Sequence, residues 1–288
     1  LNECIRYSPT FATNVITIIS LLIKNKEMRT KGLLTIVLLL GFLFSVQAAD
    51  HVKGNGKLST KKIAIEDYNA IKIDGVIDFN YVQSNEAPFI EVTVDENLHN
   101  YVNIDIKNRE LTVNFKGAKI DHFTKFIVST NSKWLKEVKV AGNANFMINS
   151  RLSGDELKIN ANSNCLVQLK KRMEVSKLDL NISGSANMVI NELKTDVLGC
   201  SINGAGTINL KSGKATQADY SITTDGEIMA YGFTVQNVNC RIAGKGSAQV
   251  HATNKLKANI VGKGKIQYKG SPTLQQKILG KGSIEKVK

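Results

Sequence analysis

The chain is 288 residues long, carries a formal net charge of +13 and is 42% hydrophobic. That is apolar material for one large or two modest domains. The four histidines and four cysteines show no zinc-ligand spacing, which excludes the common structural metal modules, and only three prolines interrupt the chain.

Residues 1–27 carry no pattern of their own. At Met28 a new pattern begins, with Arg29 and Lys31 ahead of an apolar run over residues 33–46 and then Val46-Gln47-Ala48. This is the layout of a signal peptide over residues 28–48, which makes residues 1–27 an upstream extension and places the mature start near Ala49. The competing reading is a membrane anchor over residues 11–46, which Lys24, Lys26, Arg29 and Lys31 interrupt. With no cysteine just after the apolar run, a lipoprotein anchor is not expected. The expectation is an exported protein with no membrane span after cleavage.

Residues 50–135 alternate apolar and polar side chains in segments such as IKIDGVIDFNYVQ, PFIEVTV, VNIDIK and ELTVNF. Asn108-Arg109 reads as a hairpin turn, and Glu96-Asn97-Leu98 as the opening of a short helical turn. The region is expected to be a β-rich unit covering the first open rung of the repeats that begin at residue 136, because a stacked fold needs a capped end. Trp134 sits at the seam, where the readings are packing or a ligand platform.

Residues 136–288 repeat one short phrase eight times. Aligned, the lines give an aliphatic column of Val140, Ile159, Ile182, Ile202, Ile222, Ile242, Ile260 and Ile278. Two residues on stand Gly142, Ala161, Gly184, Gly204, Thr224, Gly244, Gly262 and Gly280. A column of small residues follows, from Ala144, Ser163 and Ala186 to Gly282. The next column reads Phe146, Cys165, Met188, Ile208, Ile228, Ala248, Ile266 and Ile284. Steps between lines are 19, 23, 20, 20, 20, 18 and 18 residues. A period of two inside a unit of about 20 residues points to strands in a stacked fold. The predicted class is all-β: a right-handed parallel β-helix-like solenoid with an N-terminal β-rich capping region. Its rungs would lie about 4.8 Å apart. A glycine-rich antiparallel meander is the rival. The glycine columns predict a corner, or walls too close for side chains.

The opening GNGKLSTKKIAIEDYNAIKIDGVIDFNYVQ, the phrase VDENLHNYVNIDIKNRELTV and the later SGSANMVI, NGAGTINL and GKGSAQV together resemble the putative auto-transporter adhesin, head GIN domain family. The resemblance covers essentially residues 54–288. It implies a secreted β-helix-like fold and an adhesin role, and it brings no catalytic residues. Thr224 and Asp225 depart from the Gly-x-Gly pattern, which puts the geometry of that corner in question.

No Walker, Gly-x-Ser-x-Gly or dinucleotide pattern is present, and the GxGxG strings read as repeat corners because no helix comes after them. His51, His99, His122 and His251 are scattered, so neither a metal nor a cofactor is implied. A carbohydrate-active enzyme would need convergent ionisable groups in a groove, for which Asp225, Glu227 and Lys245 are the best set. A structural envelope component is a further alternative. Cys165, Cys200 and Cys240 are expected to be buried, unpaired fillers, since Cys200 and Cys240 stand two rungs apart with Tyr220 between them.

The sharpest functional signal is charge. Residues 241–288 hold eleven basic side chains against Glu285 alone. Lys245, Lys263 and Lys281 fall in one outward column, with Lys265 and Arg241 near it. The set is a candidate anion-binding face for an acidic glycan or envelope polymer, with no specific nucleic-acid role. The competing explanation is an end-guard against strand addition.

Overall fold

The structure, a computed structural model, describes residues 51–288. The expected extension and signal peptide lie outside the described residues. From Glu137 onward the chain winds through eight coils whose strands pair in parallel with the coils before and after. The Gly-x-small corner separates successive strands, so a long strand such as Asn187–Gly204 runs from one such corner to the next and itself bends between walls on the way. Alternate side chains point into the coil, and the burial of Asn187–Gly204 follows that alternation except where the strand bends. The interior is a continuous stack of aliphatic side chains, each worth about 1.5–3 kcal/mol once removed from water.

The observed aliphatic column runs Val140, Ala161, Ile182, Ile202, Ile222, Ile242, Ile260, Ile278, each residue the cross-strand partner of the next. The predicted column is therefore wrong at one rung: Ala161, not Ile159, stands on Val140. Ile159 pairs with Val138 and Leu180 instead. A slip of two keeps the inward set inward, so alternation alone cannot detect it. The corner decides the register. Ser163 (φ 69°) takes the left-handed conformation that Gly142 (φ 76°) and Gly184 (φ 106°) adopt in the neighbouring coils. Cys165 accordingly falls in the column of Ala144 and Ala186, while Val167 occupies the place between Phe146 and Met188.

The parallel ladder does not begin at residue 136. Ala70–Gly75 pairs in parallel with Glu137–Gly142, and Asp78–Gln83 with Asn145–Ile148. On the other side of this layer lie Glu110–Phe115 and Ile127–Ser132, again parallel. Residues 50–135 thus supply two further layers, stacked out of chain order. Phe79 and Phe146 lie on one another across the join, ring centroids 5.6 Å apart.

Beyond these layers the pairing turns antiparallel. Leu58–Ala64 pairs with Phe89–Asp95, which pairs with Ile127–Ser132, and Val102–Lys107 forms a hairpin with Glu110–Phe115 through Asn108 (φ 52°) and Arg109 (φ 63°). This change of direction ends the parallel ladder at its N-terminal end. The predicted helical turn is present as Glu96–Tyr101. Asp95, at its head, is removed from solvent and holds three segments together. It accepts bonds from the amides of Gly56 (2.7 Å) and Thr124 (2.7 Å) and from the Thr124 hydroxyl (2.9 Å).

Candidate functional site

The corner that shapes each coil also creates a regular outward position. One residue in each corner takes positive φ: Gly204 (142°), Thr224 (92°), Gly244 (129°), Gly262 (119°) and Gly280 (125°) in successive coils. Thr224 keeps the geometry despite its Cβ, and its hydroxyl donates to the Gly204 carbonyl at 2.7 Å. The corner geometry questioned from the sequence is therefore intact.

The residue after each of these positions projects to solvent. The amide of Lys245 donates to Thr224 (3.0 Å), that of Lys263 to Gly244 (2.8 Å) and that of Lys281 to Gly262 (2.8 Å). Lys245, Lys263 and Lys281 are thus equivalent residues in successive coils, all exposed, and none joins an ion pair among the described residues. At about 4.8 Å spacing, neighbouring charges repel by about 0.9 kcal/mol even at water's dielectric constant.

The other two predicted residues stand apart from this column. Lys265 lies on the adjoining wall between Ser247 and Ser283, paired with Glu285 at 3.0 Å. That ammonium holds the Glu285 carboxyl below the usual carboxylate range. Arg241 is exposed on the wall before the corner, stacked between Ser221 and Asn259. The structure brings together three of the five predicted cations and separates two.

Asp225 occupies the same column one coil below Lys245, while Glu227 sits on the next wall between Thr207 and Ser247. Asp225 is exposed. Among the described residues no group of three or more His, Cys, Asp or Glu could hold a metal ion. Three histidines have side-chain partners: His51 faces Asp121 at 2.9 Å, His99 faces Ser59 at 2.8 Å and His251 faces Thr234 at 3.4 Å.

Cys165, Cys200 and Cys240 are buried free thiols. Cys200, Tyr220 and Cys240 stack in one inward column as expected. Burial pushes the Cys240 thiol up to about 12 and Cys200 higher still, which leaves neither reactive at neutral pH. The Tyr220 hydroxyl between them is buried without a hydrogen-bond partner.

Trp134 departs from the packing expectation. It is 47% exposed, and the neighbouring Leu135 enters the core in its place. Its ring borders an open trough where the out-of-order layers meet the regular coils.

Comparison with known proteins agrees with this architecture. A family model described as putative auto-transporter adhesin, head GIN domain, matches residues 67–272. The crystal structure of a putative adhesin from Parabacteroides merdae is 75% identical, with 83% of this chain and 100% of that one covered at a TM-score of 0.82. A putative adhesin from Parabacteroides distasonis is 61% identical over 83% of this chain and 100% of its own, also at 0.82. A second Parabacteroides distasonis structure, of a putative lipid binding protein, is 35% identical over 83% and 100%, at 0.79. No curated protein matches the chain.

Proposed function

The chain belongs to the family described as putative auto-transporter adhesin, head GIN domain, and from that premise we propose that it is an exported, non-catalytic binding protein of the cell surface or envelope. Its ligand is an anionic polymer, an acidic polysaccharide in the first place, held along the basic corner of the last three coils. The carrying observation is the exposed column of Lys245, Lys263 and Lys281, equivalent in successive coils and without ion-pair partners among the described residues. A repeating anion can meet such a column charge for charge, and that match relieves the mutual repulsion the lysines suffer alone.

Export is supported by the leader-like pattern over residues 28–48 and by the adhesin names of the relatives. No helix among the described residues is long and apolar enough to cross a membrane. A binding role is favoured over catalysis because Asp225 stands in water, whereas a general acid or base is tuned by burial or by close partners.

The relative called a putative lipid binding protein suggests lipid phosphates as another source of the same anionic chemistry. The test separates them. Binding to polygalacturonate and to vesicles containing an anionic phospholipid is measured for the protein and for its Lys245→Gln, Lys263→Gln, Lys281→Gln triple variant at rising salt. The expected result is polygalacturonate binding that weakens with salt, and a triple variant with weaker binding and a flatter salt dependence. Unchanged binding together with self-association of the variant would make the column an end-guard only.

A further inference from the structure

The trough beside Trp134 lies at the opposite end of the regular coils from the basic column. Two adjoining openings, of about 530 and 550 Å³, share Lys136, Glu156 and Lys177 and run from the indole along the wall to Asp179 and Asn181. Volumes of this order are those of small-molecule sites, roughly 300–1,000 Å³. Trp134 is the chain's only tryptophan, and nearly half of it faces solvent.

The loop that carries the indole is fixed from several sides. The Ser132 hydroxyl donates to the Trp134 carbonyl at 3.0 Å, and the Gln83 amide donates to the Lys133 carbonyl at 3.0 Å. The Lys136 amide donates to the Asn69 carbonyl at 2.7 Å, and Leu135 is anchored in the core. An apolar ring held this way loses little freedom when a ligand stacks on it. Among the described residues the only cation over the ring is Lys133, whose ammonium stands 5.9 Å from the ring centroid on a long exposed side chain that can swing aside.

The charges around the ring select the ligand. Arg109 is committed to Asp67 at 3.0 Å and Lys177 to Asp179 at 3.2 Å. Lys136, Lys158, Asp155 and Glu156 also line the trough, all exposed and outside every ion pair among the described residues. Two free carboxylates balanced by two ammoniums offer a polyanion no net attraction but suit a run of hydroxyls. Carboxylates accept from O–H groups, and the ammoniums donate to their oxygens.

We propose that this trough is a binding site for a neutral, hydroxyl-rich saccharide, whose apolar ring face stacks on Trp134 while Asp155, Glu156 and Lys136 engage its hydroxyls. The site is independent of the basic column and of the polyanion that column would hold.

Because the chain has one tryptophan, its emission reports on this site alone. The protein is titrated with cellohexaose, maltohexaose and chitohexaose, and with polygalacturonate for comparison. A saturable emission change is expected with at least one neutral hexamer. It should survive high salt and the triple lysine substitution. By calorimetry, Trp134→Ala should weaken that hexamer about tenfold or more. Glu156→Gln should weaken it as well, with both variants melting like the parent. The proposal is overturned if no neutral hexamer at millimolar concentration changes the emission. It is equally overturned if only polygalacturonate does so and salt abolishes the effect, or if folded Trp134→Ala binds the hexamer undiminished.

Discussion

Gly246 lies against Ile222 of the coil below: a Cβ on the glycine would stand 2.5 Å from the isoleucine Cγ2. The relation recurs at Gly206 with Ile182 and at Gly264 with Ile242. The second glycine column is therefore a close approach between coils, whereas the first is the corner. The alternation has a counterpart nearer the N-terminus. Below Ala186 the aliphatic column carries Ala161 instead of isoleucine, and there the next coil keeps its methyl group.

This contact is directly testable. Gly226 stands in the same relation to Ile202, whose Cγ2 would be 2.4 Å from an added Cβ while the nearest backbone atom is 3.2 Å away. Gly226→Ala should destabilise the protein by about 1–3 kcal/mol through overpacking. Combined with Ile202→Ala, which removes the opposing Cγ2, the same substitution should cost distinctly less. Denaturant unfolding of the four proteins in a double-mutant cycle measures the coupling. Strict additivity would show that Ile202 is not the obstacle.

Thr224 holds a positive φ of 92° with a β-branched side chain, a conformation that costs about 1–3 kcal/mol outside glycine. Its compensation is one solvent-exposed hydroxyl bond to Gly204, worth about 0.5–1.5 kcal/mol. Thr224→Gly should therefore raise the melting temperature. A fall would mean that the hydroxyl contributes more than the strain costs.

Asp95 joins the segments around Gly56 and Thr124 through its carboxylate, so acid should loosen that joint. Burial raises its carboxyl pKa, but the Thr124 amide and hydroxyl and the Gly56 amide outweigh that and hold it below the usual range. With the folded value below the unfolded one, its stabilisation is complete above the unfolded pKa of about 3.9 and is lost as pH falls through the folded value. Asp95→Asn should cost about 1.5–3 kcal/mol at neutral pH, and its stability gap from the parent should close in strong acid. Denaturation curves of both proteins across that range check this. Gly54→Ala should disturb the same joint, because its new methyl carbon would stand 2.6 Å from the Asp95 carboxyl carbon.

The thiols give a simple chemical check. With Cys165, Cys200 and Cys240 buried and their thiols pushed up in pKa, iodoacetamide should leave all three unmodified in the native protein and label them on unfolding. Mass spectrometry of the non-reduced, alkylated protein reads the result. A disulfide between Cys200 and Cys240 would contradict their placement on either side of Tyr220.

Some of this protein was legible from residue order alone. A period of two inside a unit of about twenty residues dictates strands and stacks like on like, so Ile182 through Ile278 and the lysine column could be placed without coordinates. The burial of Cys200 and Cys240 followed from the same stacking, whereas Cys165 is buried in the column of Ala144 and Ala186 and not in the one its alignment gave. Tertiary structure alone decided three other matters. The step from Val140 to Ala161 was hidden because a two-residue slip preserves the inward face, and only the left-handed corner at Ser163 fixed it. The position of residues 70–83 between Glu137–Gly142 and Glu110–Phe115 joins segments far apart in sequence, which no local period encodes. The trough at Trp134 arises at that join. Its residues come from separate stretches of chain, and only their packing places an exposed indole beside Asp155 and Glu156.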